Sequence, residues 1–306
     1  MTQKITMHQP VTSLTAVRYD VKSPAVKESW LGSHLSKFRK LYRITRDHRG
    51  VYRGASDSAK SFLLRYSTSH TQVAHALRWL KLISLRVDGV PSRVYLRPPG
   101  SDFLVLREIF ELGEYFPARK WNLPADAKIL DLGGNIGLAT LFFTTIAPEA
   151  QFLIVEPDQE NCQLIERNCR RLLEQDRMRI VQGFAAAEDG VAGLDRRWRR
   201  SWAYHKVDTI DAEHEPVTCF GIEHLLNIAG FDRVNLLKCD VEGSEQEIFR
   251  NCSTWINRVD HMIVESHHPA FSAQELYRML RECGWNFEIT EERPGDTHSV
   301  SFLRRI

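Results

Sequence analysis

No two of the six cysteines (Cys162, Cys169, Cys219, Cys239, Cys252 and Cys283) are spaced C-x-x-C. That scatter disfavours a disulfide frame or a zinc site and points to free thiols in a reducing compartment. The opening stretch MTQKITMHQPVTSLTAV lacks a continuous apolar core of the secretory kind, and no apolar run is long enough to span a bilayer. The expectation is a cytoplasmic protein that could also sit peripherally at the inner face of a membrane. Internal repeats and low-complexity stretches are absent too. What remains is ordinary for a globular chain: 306 residues, 43% hydrophobic and 26% charged. That is enough for a full core, with about two domains as a prior.

The net charge of +2 conceals an asymmetry. Residues 1–97 carry 18 Lys and Arg against 5 Asp and Glu, a surplus of +13, while the rest of the chain holds 23 against 34, a deficit of −11. The front either meets something anionic or folds against its own acidic half. Residues 1–30 read as a loose polar arm. In SHLSKFRKLYRITRDHRG, Leu35, Phe38, Leu41 and Tyr42 recur at helical spacing among basic residues. This basic amphipathic helix either docks by its apolar stripe or offers a surface to anionic lipid or nucleic acid. A second helix is expected over TQVAHALRWLKL, then a hairpin turning at Asp88-Gly89. Beyond it comes a helix apolar at Phe103, Leu106, Ile109 and Phe110, with Ser101 as its cap.

From residue 128 apolar runs alternate with helical segments. The runs are KILDLG, QFLIVEP, RIVQGF, VNLLKCD and HMIVES. Near-continuous apolar strands between helices predict a parallel sheet covered on both faces. WNFEIT and SVSFLRRI then read as a closing antiparallel hairpin. Residues 190–217, which include DRRWRRSWAYHK, form an insertion between two units. Its tryptophans and arginines either pack on the sheet edge or stack on rings and pair with phosphate. The expected organisation is a basic, partly helical region over 1–90, then an α/β domain over 91–306 with a lead-in at 91–127.

ILDLGGNIGLAT is strand, tight turn and helix, the place where doubly wound sheets bind ligands. Gly133, Gly134 and Gly137 would let the backbone approach a ligand, and Asn135 tolerates a left-handed conformation. Nineteen residues after Gly137, Glu156 ends the second strand, placed to accept hydrogen bonds from two ribose hydroxyls. A nucleoside-bearing cofactor follows. The turn does not match G-x-G-x-x-G, and Asp131 just before it would oppose a pyrophosphate. A carboxylate there suits S-adenosyl-L-methionine, which carries two positive charges and no phosphate. Phe184, Ala185 and Ala186 are expected to wall the adenine.

These motifs, together with LLKCDVEGSEQEIF and MIVESHH, resemble the FkbM family of methyltransferases over roughly residues 92–306. The resemblance implies a seven-stranded Rossmann-like fold, S-adenosyl-L-methionine as cofactor, and acceptors that are hydroxyls of sugars, polyketides or other small metabolites. In that fold the fourth strand ends beside the transferred methyl. Alternation would carry Lys238, Asp240 and Glu242 to one face until the strand breaks at Gly243, with Glu265 and His267 at the neighbouring exit. Asp240 is the first choice for general base or acceptor positioning. His267 is the second, because its ordinary pKa suits proton removal near neutrality. Lys238 would neutralise Asp240 or Glu265, Glu242 would cap the following helix, and His268 reads as a loop residue. A divalent metal on Asp240, Glu242 and Glu265 ranks low, because Lys238 already supplies positive charge.

The leading function is therefore an O-methyltransferase acting on a small-molecule or glycan acceptor. An RNA-modifying enzyme ranks second, and a catalytically silent peripheral membrane protein third.

Overall fold

The computed structural model describes residues 30–68, 70–195, 205–207 and 214–306. Residues 1–29 of the loose arm expected over 1–30 and the Arg/Trp stretch at 196–204 lie outside the described residues, and Trp30 begins a helix. The chain divides into two compact units, 1–40 and 41–306. From the first unit the described part is the start of the helix Trp30–Asp47.

Seven strands of the second unit form one sheet: β1 Lys128–Leu132, β2 Gln151–Glu156, β3 Met178–Gln182, β4 Leu236–Cys239, β5 His261–His267, β6 Phe287–Pro294 and β7 His298–Arg305. Their order is β6-β7-β5-β4-β1-β2-β3. Strands β1 to β5 run parallel, and β7 runs antiparallel between β5 and β6. This is the expected Rossmann-like doubly wound sheet with its closing hairpin. Strand order reverses between β1 and β4, so a crevice opens outside their carboxyl ends.

The strands are apolar throughout because both faces are covered. Ile129, Leu236, Ile263 and Phe302 pack with Phe103 and Phe142 on one face. Leu130, Leu237, Val264 and Leu303 pack with Leu225, Leu280 and Trp285 on the other. Each large side chain so buried contributes roughly 1.5–3 kcal/mol. The covering helices begin where caps are available. Asp158 accepts from the Asn161 amide, and Ser272 from that of Glu275, each worth about 1 kcal/mol.

Ahead of the sheet, the hairpin Ile83–Arg86 and Arg93–Leu96 forms as expected. An additional helix, Ala55–Ser67, precedes it. Its buried face is Asp57, Ser61, Leu64 and Arg65, so it lacks the apolar stripe that announces a helix. The next helix starts at Asp102, and Ser101 gives it no side-chain cap. Asp102 instead accepts from the Arg97 backbone amide at 2.8 Å and guanidinium at 2.9 Å. That helix widens into a π-turn over Arg107–Glu111, closed by an i→i+5 bond from the Leu112 amide to the Arg107 carbonyl. The insertion is folded at its ends: Phe184–Ala186, Gly190–Asp195, His205–Val207 and Glu215–Gly221 make a separate four-stranded sheet.

Candidate active site

The register of the central strands sets the first contact. Lys238 on β4 lies directly opposite Asp131 on β1, so the two side chains share a face. Both are buried, with Lys238 Nζ 3.4 Å from Asp131 Oδ1 and 3.5 Å from Asp240 Oδ2. Lys238 also donates to the Gly133 carbonyl at 2.6 Å. Burial alone would lower the Lys238 pKa, but the Asp240, Asp131 and Glu265 carboxylates hold it raised. It stays charged. Thr140 donates to the other Asp131 oxygen at 2.9 Å. Asp131 thus faces inward, supporting the turn from beneath, and does not line the crevice as its sequence position suggested.

Above this pair, the turn after β1 crosses the end of β4. Gly133 has φ 78°, and a Cβ there would lie 1.7 Å from the Asp240 carbonyl oxygen. Asn135 adopts the left-handed conformation, φ 49°, and its amide donates to Glu156 Oε2 at 2.8 Å. Glu156 also accepts from the Asp158 amide and the Asn161 side chain. Burial still pushes its carboxyl up to about 7. Gly137 caps the following helix with φ 82° and faces away from the crevice, toward Cys169 and Ile165.

Two adjoining cavities occupy the switch point. A narrow groove runs past Gly133, Asn135, Glu156, Phe184 and Ala185 to Asp240 and Glu242. A chamber of about 680 Å³ lies beside it, within the range of small-molecule sites. Gly133, Asn135, Asp240 and Glu242 belong to both, and Gly134 lines the chamber. The groove carries the groups that a nucleoside site uses: a carboxylate at the second strand end, an aromatic wall and a side-chain-free turn.

The chamber's walls are acidic. Glu108 and Glu114 come from the π-turn and the loop after it, Asp240 and Glu242 from the end of β4, and Glu265 from β5. Burial and the mutual repulsion of these groups push Glu114 up to about 7 and Glu242 up to about 8. Glu108 and Glu265 are raised by the same causes. Among the described residues that line the chamber, Lys238 is the one lysine or arginine. Val105, Ile109, Leu112 and Leu138 add an apolar part to the lining.

His267 stands among these acids. Its Nδ1 is 2.9 Å from Glu245 Oε1, and its Nε2 is 3.3 Å from Glu242 Oε2 and 3.5 Å from Glu265 Oε1. Burial would lower its pKa, but the hydrogen bond to Glu245 and the Asp240 and Glu242 charges push it up to about 9. At neutral pH the ring is therefore protonated, which corrects the expectation that it sits ready to take a proton. His298 lies opposite His267 in register, and burial together with His267 lowers its pKa. His268 is more than a loop residue, since it lines the chamber and bonds Ser299 at 2.9 Å. Asp240, Glu242 and His267 each offer a ligand atom within 4.8 Å of the others. The same side chains form ion pairs, Asp240 with Lys238 and Glu242 with His267.

Two further expectations change. Strand β4 ends at Cys239, so alternation does not deliver Glu242. A left-handed turn does, with Glu242 at φ 53° and Gly243 at φ 103°. The N-cap position of the next helix is Ser244, without a side-chain cap bond, and Glu245, its first residue, accepts from the Val241 and Gly243 amides ahead of it. Glu108, Glu114, Glu245 and His298 were not singled out from the sequence. Only Glu245 had a local signal, as the acid that closes DVEGSE at the start of a helix.

The sequence is similar to known methyltransferases. Residues 131–287 match the methyltransferase FkbM domain. Methyltransferase 1 of Beauveria bassiana is 26% identical over 199 residues, covering 56% of this chain and 76% of that protein. Methyltransferase sdnD of Sordaria araneosa is 24% identical over 207 residues, covering 56% and 78%. The crystal structure of methyltransferase FkbM from Methylobacillus flagellatus aligns with TM-score 0.46 and 12% identity, over 90% of this chain. This chain spans 60% of that structure's length. Over half of its residues fall within the matched domain, and the chain belongs to the FkbM methyltransferase family.

Proposed function

We propose that the protein transfers a methyl group from S-adenosyl-L-methionine to a hydroxyl of a small, uncharged or cationic acceptor such as a sugar or another polyhydroxylated metabolite. The observation that carries this reading is the sharing of Asp240 between groove and chamber. A group at that junction touches both reactants. When bound, the cofactor supplies an electrophilic methyl on a positively charged sulfur. Glu156 would hold its ribose, Phe184 and Ala185 its adenine, and Gly133 and Asn135 the closest approach of the backbone. Asp240 takes the acceptor's hydroxyl proton, and Lys238 keeps that carboxylate in place from below. Glu242 and Glu265 accept hydrogen bonds from neighbouring hydroxyls, and the apolar part of the lining packs against the acceptor.

The sign of the charge narrows the acceptor. Five carboxyl groups line the chamber with Lys238 and three histidines, His267, His268 and His298, so a phosphate would find one lysine, already engaged by Asp131 and Asp240, and no arginine to pair with. The acidic lining therefore disfavours phosphate-bearing acceptors, including the RNA that the basic front had suggested. The basic helix Trp30–Asp47 is left as the surface for anionic partners. Among the described residues no helix is long and apolar enough to cross a membrane.

Labelled-methyl transfer into cell extract, fractionated by size and by ion exchange, tests the reading. The labelled product should be small and should pass an anion-exchange column. Product retained with nucleic acid, or a protein that shows no saturable S-adenosyl-L-methionine binding by calorimetry, would overturn it.

A further inference from the structure

The two strand exits that carry the chamber's acids are tied together by a residue that does not line it. Glu245 is fully buried at the start of the helix Glu245–Arg250. Its Oε1 accepts from the Val241 amide at 3.2 Å and lies 2.9 Å from His267 Nδ1. Its Oε2 accepts from the Gly243 amide at 2.9 Å. Those amides flank Glu242, whose φ of 53° is disfavoured for a residue with a Cβ. One carboxylate therefore holds the turn that presents Asp240 and Glu242 at the end of β4. It also holds the imidazole at the end of β5. A carboxylate that accepts can only be met by a donor, so Nδ1 carries the proton and Nε2 is turned to Glu242 and Glu265.

We infer that Glu245 is the positioning residue of this site, a buried anchor that sets the mutual geometry of Asp240, Glu242 and His267 without touching either reactant. The inference rests on the methyltransferase reading above for what the geometry serves, and on the three hydrogen bonds for the geometry itself. A strand end supplies direction only as far as its last ladder bond, here from the Asp240 amide to the Leu132 carbonyl. Beyond that point the chain needs another restraint. Buried carboxylates that fix a histidine ring from behind make the difference between a residue that is present and one that is aimed.

The test compares wild type with Glu245→Gln and Glu245→Ala. In wild type, proton-detected NMR of nitrogen-15-labelled histidine should show a slowly exchanging, downfield His267 Nδ1 proton. Glu245→Gln should weaken that signal and Glu245→Ala should erase it. Methyl transfer into extract should fall about 10- to 100-fold in Glu245→Ala, with Glu245→Gln recovering part of the loss. S-adenosyl-L-methionine affinity should stay within about threefold, since Glu245 does not line the groove. A wild-type His267 lacking the bonded Nδ1 proton would overturn the inference, and that measurement needs neither variant to fold. So would folded variants that transfer methyl at the wild-type rate, or a loss of rate explained wholly by loss of folded protein. Wild-type protein that fails to bind S-adenosyl-L-methionine yet shows the Nδ1 proton would instead sink the functional reading and leave the anchor standing.

Discussion

Gly133 has no room to be anything else. A methyl group there would meet the Asp240 carbonyl at 1.7 Å, and its φ of 78° is left-handed. Gly133→Ala should lose about 2–5 kcal/mol of stability, read as a lowered urea midpoint, because strain and overpacking add at one atom. Asp240 and Glu156 should separate binding from transfer. Asp240→Asn keeps the shape but loses the base, so turnover should fall between about 10²- and 10⁴-fold with S-adenosyl-L-methionine affinity nearly intact. Glu156→Gln should weaken that affinity about 10-fold or more, seen by calorimetry, since a carboxylate is the stronger acceptor for ribose hydroxyls. Gly133, Gly134, Asn135, Glu156 and Asp240 were legible because each sits at or just beyond a strand end, where sequence position and spatial position coincide. Asp131 was legible as a strand-end acid, but its partner was not. Its pairing with Lys238 depends on the register of two strands more than a hundred residues apart. Glu108 and Glu114 reach the chamber through tertiary packing alone, and no local pattern marks them.

At the scale of elements, the π-turn over Arg107–Glu111 decides what the chamber wall shows. The wide turn leaves Glu108, Ile109 and Leu112 on the chamber while Glu111 points the other way, into the core. There its carboxylate accepts from Arg65 at 2.5 Å, Tyr52 at 2.5 Å and Arg107 at 3.4 Å. The Arg65 and Glu111 side chains are 2% and 0% exposed, so neither charge has water to fall back on. Arg65→Met should therefore cost about 3–5 kcal/mol in denaturation experiments, whereas the double variant with Glu111→Leu should recover most of it. A single variant no worse than an ordinary surface change would show that the pair does not hold the turn. The helix that carries Arg65 escaped sequence reading for the same reason that it matters: its buried face is polar, and period-3.6 hydrophobicity cannot report it. The strands and covering helices from 128 onward were legible because burial on two faces writes uninterrupted apolar runs.

At the scale of the whole unit 41–306, the separation of charge in the sequence resolves into ion pairs within the fold and an acidic chamber at the switch point. Part of the basic front folds against the acidic remainder, as Arg65 does on Glu111. The acids of the groove and the chamber are a standing source of instability that the cofactor is suited to relieve. Glu156 and Glu114 are pushed up to about 7, Glu242 to about 8 and His267 to about 9. Every one of these groups holds its proton in the folded protein at pH values where the unfolded chain has released it. Their contribution to stability is full below the unfolded values, about 4.5 for the carboxyls and 6.5 for the ring. It is lost as pH rises through 7 to 9. Each proton so retained changes stability by up to about 1.4 kcal/mol per pH unit. The protein alone should thus lose stability steadily between pH 6 and pH 9, measured by urea midpoint at fixed ionic strength. A cation bound beside the same carboxylates favours their ionised form and releases their protons. S-adenosyl-L-methionine, at a fixed free concentration, should therefore bind more tightly and raise the midpoint further at pH 8.5 than at pH 6. A midpoint that climbs with pH, or a cofactor effect that shrinks with it, would mean that these acids do not face one another as the sheet places them.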